Sequence, residues 1–392
     1  MTMRVLFWVQ HLLGSGHLKR ALTLARAMAG EGLRVVVASG GMPVPWLGAD
    51  GVELVQLPPV RASDLTFAGL LDEHDRPADD RFRAMRRDRL LALLRELRPR
   101  VVITEMFPFG RRAFRFELIP LLEAAAAVRP RPWRLCSVRD VLVRKPDPEG
   151  YAWMLEQARA HYDRVLVHTD PRVIPFALTF PHARALGARL VETGYVVEPS
   201  VARTAEGRGE VLVSAGGGRV GAALLEVAIE ARGRSRLRTR PWRLIAGGNL
   251  PAAAFEKLGA GLPEGVILER LRDDFPALLA NSLLSVSQAG YNTVVEGLRF
   301  RKPMVLVPFE TATETEQRTR AERMVELGLA EAVWESGLTP RRLASAIDRA
   351  SRPRSSEWPA FALDGGAETA RLVAACAATS APADPLRPEV AG

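Results

Sequence analysis

The stretch SQAGYNTVVE, residues 287–296, joins a strand to a helix through a glycine. Upstream, residues 283–286 are apolar enough for a parallel strand covered on both faces. Downstream, Val294, Val295 and Leu298 recur at helical spacing. A ligand at such a junction meets the free backbone N–H groups of the helix start and the carboxylate that ends the stretch. This combination suits a nucleotide sugar.

A second glycine turn of this kind lies near the amino terminus, in the sequence GSGH of residues 14–17. Residues 5–9 before it read as a strand, and Leu18, Leu22 and Ala25 mark one face of the helix that follows. Two such turns, far apart in sequence, predict two α/β halves whose ligands meet between them.

Strand patterns alternate with helical stretches along almost the whole chain, which is typical of parallel α/β folds. The predicted strands are residues 5–9, 34–38, 52–57, 101–104, 135–138 and 165–168 in the first half, and 211–214, 243–246, 266–268, 283–286, 304–307 and 332–334 in the second. The sequence therefore predicts two Rossmann-like, doubly wound parallel-sheet domains facing a central cleft.

The seam between the halves is predicted at residues 193–199, because a polar, glycine-containing stretch follows and then a new strand begins. We expect an amino-terminal, acceptor-side domain over residues 1–195 and a carboxy-terminal, donor-binding domain over residues 196–377. The second domain would end in a helix at residues 367–376, and residues 378–392 would form a flexible tail.

Composition indicates a globular protein of the cytoplasm. The chain has 392 residues with 47% hydrophobic content, and its two cysteines, Cys136 and Cys376, are far apart, which favours reduced thiols. We find no signal-peptide pattern and no stretch of the roughly 20 apolar residues that a membrane span needs. The sequence predicts a soluble, cytoplasmic protein with at most a peripheral contact at the inner face of the membrane.

The net charge of +9 and the pI of about 10.3 come from scattered arginines. Because no zinc-finger, RNP or basic-repeat pattern accompanies them, we do not predict a nucleic-acid partner. An anionic small substrate or an acidic lipid surface fits the same charge.

The sequence SAGGGR, residues 214–219, closes a strand and opens an apolar helix. Its glycines let the backbone approach a ligand closely, and the helix start favours a diphosphate, although a plain tight turn would look the same. A dinucleotide-binding dehydrogenase is disfavoured, since Lys19 replaces the third glycine of that fingerprint and the second strand ends without an acid. No P-loop sequence is present.

Taken together, these motifs resemble the GT-B glycosyltransferases, and in particular the family 28 type, the MurG-like relatives of the N-acetylglucosaminyltransferase that forms lipid II. The resemblance is carried by the turn ending in His17, the glycines at 216–218, the run at 287–296, the strand at 303–309 and the pair Glu316-Gln317.

The resemblance implies a set of donor-site residues. Glu296 would hold the ribose diol, Glu316 and Gln317 the sugar hydroxyls, and the backbone near Arg270 and Leu271 would face the base. The family commonly has two adjacent glutamines where this chain has Glu316-Gln317. The donor set is Gly216, Gly217, Gly218, Arg219, Arg270, Leu271, Ser287, Ala289, Gly290, Thr293, Glu296, Glu316 and Gln317.

His17 is the preferred general base, because a histidine can accept a proton at neutral pH and this one lies at a strand-end turn. Glu105 and Asp140 also follow predicted strands and are alternatives. Gly14 and Gly16 complete the acceptor-side set. His11, close by in sequence, is better read as a packing residue.

The segment EMFPFGRR, residues 105–112, joins apolar rings to two cations just after a strand. It could line an acceptor site or touch a membrane surface. Ring packing beside a solvated arginine pair is an equal alternative.

The resemblance favours an inverting, metal-independent transferase that moves a sugar from a nucleotide-diphosphate donor, expected to be UDP-linked, to an acceptor hydroxyl that could be lipid-linked. No cofactor is expected besides the co-substrate. Alternatives on the same scaffold are a nucleotide-sugar hydrolase, a 2-epimerase and a non-catalytic nucleotide-sugar binding protein. The chain contains no D-x-D motif; its densest run of metal-ligand residue types, Asp72 to Asp75, lies in a predicted loop at residues 58–80, where a solvated turn is the preferred reading.

Overall fold

The structure, a computed structural model, divides the chain into two compact units, Met1–Val196 with Ala362–Gly392 (unit 1) and Val197–Phe361 (unit 2). Each unit is built on its own parallel β-sheet, so the predicted pair of parallel-sheet α/β domains is confirmed. The structure describes residues 2–12, 14–63, 69–145, 147–199, 204–216, 221–248, 250–311, 315–353 and 357–382.

Unit 1 contains a seven-stranded sheet with the order β3-β2-β1-β6-β7-β8-β9, and all its neighbouring strands are parallel. A short antiparallel pair, β4 with β5, lies within the predicted loop at 58–80. The strands are β1 Arg4–Val9, β2 Arg34–Ser39, β3 Glu53–Gln56, β4 Arg61–Ala62, β5 Leu70–Leu71, β6 Val101–Glu105, β7 Trp133–Arg139, β8 Arg164–His168 and β9 Leu190–Glu192.

Helices cover both faces of this sheet. They are α1 Gly16–Gly30, α2 Asp80–Leu97, α3 Arg115–Ala127 and α4 Pro148–His161. Because successive side chains of a strand point to opposite faces, β1 serves two cores. Leu6 and Trp8 pack with Leu118 of α3, whereas Val5 and Phe7 pack with Leu22 of α1. Burial on both faces explains why β1 is apolar throughout.

A buried ion pair ties the α2–α3 side of unit 1 to the loops above β1 and β2. The Arg86 guanidinium donates to both carboxylate oxygens of Glu117, at 2.6 and 3.0 Å, and Trp8 Nε1 donates to the same carboxylate at 2.9 Å. Arg86 also donates to Gln10 Oε1 and to the carbonyl of Gly40. This pair therefore fixes the chain directly after β1 and after β2.

Unit 2 contains a six-stranded parallel sheet with the order β12-β11-β10-β13-β14-β15. Its strands are β10 Val211–Ser214, β11 Trp242–Ile245, β12 Val266–Glu269, β13 Leu284–Ser287, β14 Met304–Leu306 and β15 Glu331–Ala332. Its helices are α5 Ala222–Arg232, α6 Ala252–Gly259, α7 Phe275–Asn281, α8 Tyr291–Arg299, α9 Glu316–Glu326 and α10 Pro340–Ala350.

The last helix, α11 Gly365–Ala378, belongs to unit 1. Its assignment to the second domain, within residues 196–377, was wrong. Ala370 and Val373 are buried with Leu22 of α1 in the unit 1 core, so the apolar stripe of α11 completes the cover of that face of the sheet. Periodicity predicts such a helix but does not say which sheet it covers.

The two chain segments that connect the units are held together where they leave and re-enter unit 1. Tyr195 N donates to the carbonyl of Ala362 at 2.7 Å, and Gly365 N donates to the carbonyl of Tyr195 at 3.0 Å. Ala362 N donates to the buried carboxylate of Asp170 at 2.9 Å. Of the predicted tail, Thr379 is anchored by Arg100, and residues 383–392 lie outside the described residues.

Gly365 fills a position with no room for a side chain, because a Cβ there would lie 2.1 Å from the carbonyl oxygen of Gly194. We expect Gly365→Ala to lower the free energy of unfolding by about 1–3 kcal/mol. Gly366→Ala is the matched control, since its nearest neighbour would be Ala27 Cβ at 3.9 Å. Urea denaturation of the two variants checks this; equal stability would contradict the close approach at Gly194.

Candidate functional site

The carboxyl ends of the unit 1 strands bring His17 and Glu105 into contact. His17 lies in the first turn of α1, and Glu105 is the last residue of β6, the strand that pairs with β1. His17 Nδ1 lies 2.7 Å from Glu105 Oε1; the carboxylate is fully buried and the imidazole side chain is 14% exposed. The two residues that were alternatives for the base are therefore hydrogen-bonded partners.

This contact fixes the tautomer of His17. With Glu105 ionised, Nδ1–H is the donor and Nε2 carries the lone pair, which is the arrangement of a histidine base oriented by an acid. Arg139, at the end of β7, approaches that nitrogen with its Nη1 at 3.4 Å. The atom that would accept a proton is thus next to a guanidinium.

Arginines dominate the surroundings of the pair; sequence reasoning missed Arg20 and Arg139 and named Arg111 only as a cation of the segment at 105–112. Arg20 is buried on α1 and also donates to Oε1 of Glu105. Burial lowers the pKa of His17; Glu105 acts in the opposite direction, while Arg111 and Arg139 add to the lowering. Burial alone would raise the pKa of Glu105, but His17 and Arg20 outweigh it and hold that pKa well below its usual range.

The remaining acceptor-side residues lie at the same edge of the sheet. Gly16 is the first residue of α1, and Gly14 lies two residues before it. Asp140 follows β7, is fully buried and accepts a hydrogen bond from the backbone N–H of Val141 at 2.8 Å. His11 is buried and contacts the carbonyl of Met42 through Nε2 at 2.9 Å, as a packing residue would.

The rings of the segment at 105–112 belong to the core of unit 1. Phe107 and Phe109 are 0% and 2% exposed, and Phe109 meets Phe180 edge to face at 5.1 Å between ring centroids. Arg112 is exposed and lies 4.5 Å from the ring centroid of Trp153. The rings therefore pack in the core and do not form a membrane-facing surface, whereas the arginine pair is not wholly solvated, because Arg111 is half-buried and donates to the carbonyl of Gln10 at 2.9 Å.

In unit 2 the two predicted donor turns are neighbours, because β10 and β13 pair in parallel with Ser214 beside Ser287. Gly216 has a φ of +72°, a conformation that glycine adopts without strain, and its N–H donates to Ser214 Oγ at 3.3 Å. Gln288 N donates to the carbonyl of Ser214 at 3.4 Å. The predicted diphosphate contacts at Gly217, Gly218 and Arg219 lie outside the described residues.

Helix α8 begins directly after this turn, with Gly290 as its N-cap and no side chain capping its first N–H groups. Such a helix start favours an anion. Thr293 is the third residue of α8, and Glu296, one turn later, is 5% exposed and lies 3.4 Å from Arg299 Nη1. The helix thus places a buried acid behind an open N-terminus.

A fully buried arginine that the sequence analysis did not single out, Arg320, connects α9 to the donor turn. Its Nη1 donates to the carbonyl of Ala289 and its Nη2 to Glu316 Oε1, both at 2.7 Å. Gln317 Oε1 accepts a hydrogen bond from the backbone N–H of Phe309 at 3.1 Å. Both residues assigned to the sugar hydroxyls therefore also hold the local backbone in place.

The predicted base-facing segment follows β12. The Arg270 guanidinium donates to the carbonyl of Leu250 at 2.7 Å and lies 4.5 Å from the ring centroid of Phe255. Leu271 is 41% exposed. The side chain of Arg270 is therefore engaged within unit 2, and the contact of this backbone with a base stays a prediction.

Asp72 forms a closed turn, in which its carboxylate accepts from the backbone N–H groups of His74 and Arg76 at 2.8 and 2.9 Å. Across the described ranges, no group of three or more His, Cys, Asp or Glu side chains is arranged to hold a metal ion. Within those ranges, too, no helix is both long and apolar enough to cross a bilayer.

Comparison with known proteins finds a family match over much of unit 2. Residues 216–362 match the glycosyltransferase family 28 C-terminal domain. The UDP-N-acetylglucosamine–N-acetylmuramyl-(pentapeptide) pyrophosphoryl-undecaprenol N-acetylglucosamine transferase of Methylorubrum extorquens is 31% identical over 218 residues, which cover 49% of this chain and 57% of that protein. The match thus spans little more than half the length of this curated relative.

Solved structures share the fold across both units. CalG4, the calicheamicin glycosyltransferase, is similar with a TM-score of 0.60 and 17% identity, covering 97% of this chain and 95% of that one. MurG of Acinetobacter baumannii is similar with a TM-score of 0.52 and 16% identity, covering 94% and 95%. The expected resemblance to GT-B glycosyltransferases of the family 28 type is confirmed.

A second histidine at this edge, His168, is fully buried between Ser137 Oγ and Thr193 Oγ1, both at 2.8 Å, and burial lowers its pKa to about 3. In the unfolded chain His168 takes up a proton near pH 6.5, whereas in the folded chain it does so only near pH 3. Protonation therefore favours the unfolded chain, and the free energy of unfolding decreases as the pH falls from 6.5 towards 3. Between pH 7 and pH 5 this loss amounts to about 2 kcal/mol.

We therefore expect His168→Gln to lose less stability than the unaltered protein when the pH is lowered from 7 to 5. Urea denaturation at both pH values measures the difference, with His74→Gln, at an exposed histidine, as the control. An identical pH dependence in His168→Gln and in the unaltered protein would show that His168 does not titrate differently in the folded state.

Proposed function

We propose that this chain, whose residues 216–362 match the family 28 C-terminal domain, is an inverting glycosyltransferase that moves a sugar from a UDP-linked donor to an acceptor hydroxyl. The observation that carries the proposal is the 2.7 Å contact between His17 Nδ1 and Glu105 Oε1. It provides an oriented base at the strand ends of unit 1, while unit 2 provides two glycine turns suited to a nucleotide diphosphate.

In this reaction His17 Nε2 removes the proton of the acceptor hydroxyl as the oxygen attacks the anomeric carbon. The bond to the diphosphate breaks on the opposite face, which inverts the configuration, and the electron pair leaves with the diphosphate. Glu105 stabilises the imidazolium that forms, because its carboxylate already accepts the Nδ1–H bond. Arg139 must leave Nε2 for the acceptor to reach it.

The charge of the departing diphosphate is met by backbone groups. The first N–H groups of α5 and α8 have no side-chain cap, and both helices start after turns at the carboxyl edge of the unit 2 sheet. Glu296 accepts the ribose hydroxyls, and Glu316 and Gln317 contact the sugar. Because backbone dipoles supply this stabilisation, the reaction needs neither a divalent metal nor a cofactor.

The acceptor is proposed to be lipid-linked, because the Methylorubrum extorquens relative is named for an undecaprenol-linked acceptor. The protein would work in the cytoplasm as a peripheral enzyme at the inner face of the membrane. A helix face in unit 1 supports this: Met85 of α2 is 51% exposed, and Arg81 and Arg89 lie four residues before and after it on the same face.

The first test uses donor alone. A panel of nucleotide sugars is titrated into the protein in excess EDTA, and calorimetry should detect binding of a UDP-sugar. Glu296→Gln should weaken that binding about ten- to hundredfold, because charge-assisted hydrogen bonds are lost. Binding that requires added Mg²⁺ or Mn²⁺ would contradict metal independence. Hydrolysis or epimerisation of the donor at full rate without acceptor would identify a hydrolase or a 2-epimerase instead.

The second test concerns the base. Turnover is measured with the donor that the first test identifies and with an acceptor. In this assay His17→Ala should lower turnover by about 10²–10⁴-fold while donor affinity is preserved, as expected for a general base. His74→Ala, at an exposed histidine of the same unit, is the control and should keep full activity. Loss of donor affinity in His17→Ala would make this histidine a binding residue.

A further inference from the structure

Arg20 occupies an unusual position beside the base. It lies three residues after His17 on α1, so both side chains lie on one face of the helix, above the end of β6. It is 3% exposed overall, and its guanidinium donates to the buried carboxylate of Glu105. Unlike the exposed arginines of this chain, it is therefore placed where electrostatic interactions are strong.

His17 and Arg20 donate to the same oxygen of Glu105. His17 Nδ1 and Arg20 Nη2 both contact Oε1, whereas Oε2 is buried without a hydrogen-bond partner among the described residues. The single negative charge of Glu105 cannot neutralise both the Arg20 guanidinium and a protonated His17 imidazole. Because the guanidinium is always charged, the imidazole is the donor that stays neutral.

We propose that Arg20 is a positioning residue that, by sharing Oε1 of Glu105 with His17, keeps the imidazole neutral and its Nε2 available as a proton acceptor. The inference rests on the proposed function of His17 as the base. It extends that function by naming a residue that acts through Glu105 and does not touch the acceptor. The hydrogen-bonded unit is then a triad, His17–Glu105–Arg20.

Other charged and titratable groups also face this unit. They come from every neighbouring element at the carboxyl edge of the sheet, namely His11 after β1, Arg111 after β6, Cys136 and Arg139 of β7, and His168 of β8. Arg111 and Arg139 lower the pKa of His17, which is the direction proposed here for Arg20. The test must therefore separate Arg20 from the general positive field.

The experiment measures the titration of His17 directly, by NMR of histidine-labelled protein. In Arg20→Gln the pKa of His17 should rise by about one pH unit or more, because a cation beside its partner is lost. Arg20→Lys should restore a titration close to that of the unaltered protein. Arg26→Gln, the matched control, removes the same charge from a half-buried position further along the same helix, where the guanidinium donates to the carbonyl of Gly48, and should leave the titration unchanged.

A double-mutant cycle tests whether Arg20 acts through Glu105. In the Glu105→Gln background, Arg20→Gln should move the pKa of His17 much less than in the unaltered protein. In the protein without substitutions, the Arg20 guanidinium resonances should shift at the pKa of His17, a measurement that does not depend on any variant folding.

The inference is overturned if the His17 titration is unchanged in Arg20→Gln or if Arg26→Gln shifts it equally. It is also overturned if the effects of Arg20→Gln and Glu105→Gln on the His17 pKa are additive, or if the Arg20 resonances do not shift at the pKa of His17. None of these measurements needs a turnover assay. The acid limb of kcat/KM should move upward with the His17 pKa in Arg20→Gln. The His17 titration can shift in Arg20→Gln while His17→Ala keeps its activity. That result would refute His17 as the base and leave the triad intact.

Discussion

Parallel strands joined by crossover helices all end at the same edge of their sheet, and both units obey this constraint. It brings Glu105, Arg139 and His168 together at the ends of β6, β7 and β8, although long stretches of chain separate them. In unit 2 the same constraint sets Ser214 beside Ser287, at the ends of the paired strands β10 and β13. The chemistry proposed for each unit depends on this shared edge.

Much of the fold could be predicted from the sequence, because buried parallel strands are apolar on both faces and their helices are periodic. The strands of both sheets were predicted to within a few residues, except for the short β4, β5 and β9, whose few residues carry little pattern. His17 and Glu105 were both found, yet as alternatives, since only the adjacency of β1 and β6 makes them partners. The placement of α11 depends on distant packing that no local pattern encodes.

Buried arginines explain part of the basic composition. Arg86 and Arg320 are fully buried and Arg20 nearly so, and each is paired with a carboxylate: Glu117, Glu316 and Glu105 respectively. A planar guanidinium suits such sites better than an ammonium, because it can bind several acceptors at once. Arg320 follows Glu316 on α9 by four residues, a spacing that could have identified it from the sequence, whereas Glu105, the partner of Arg20, lies on β6. These pairs account for part of the arginine content but, being neutral overall, not for the high isoelectric point.

The return of α11 to unit 1 has a consequence for synthesis. On a ribosome that adds about 5–20 residues per second, unit 2 is made in roughly ten to thirty seconds, and α11 emerges only after it. During that interval the apolar side of α1 that receives Ala370 and Val373 has no cover. Unit 1 therefore cannot mature before unit 2 has left the exit tunnel, and the nascent chain carries an exposed apolar surface that chaperones can recognise. The last element of the amino-terminal unit is therefore the last one to be synthesised, after the whole of unit 2.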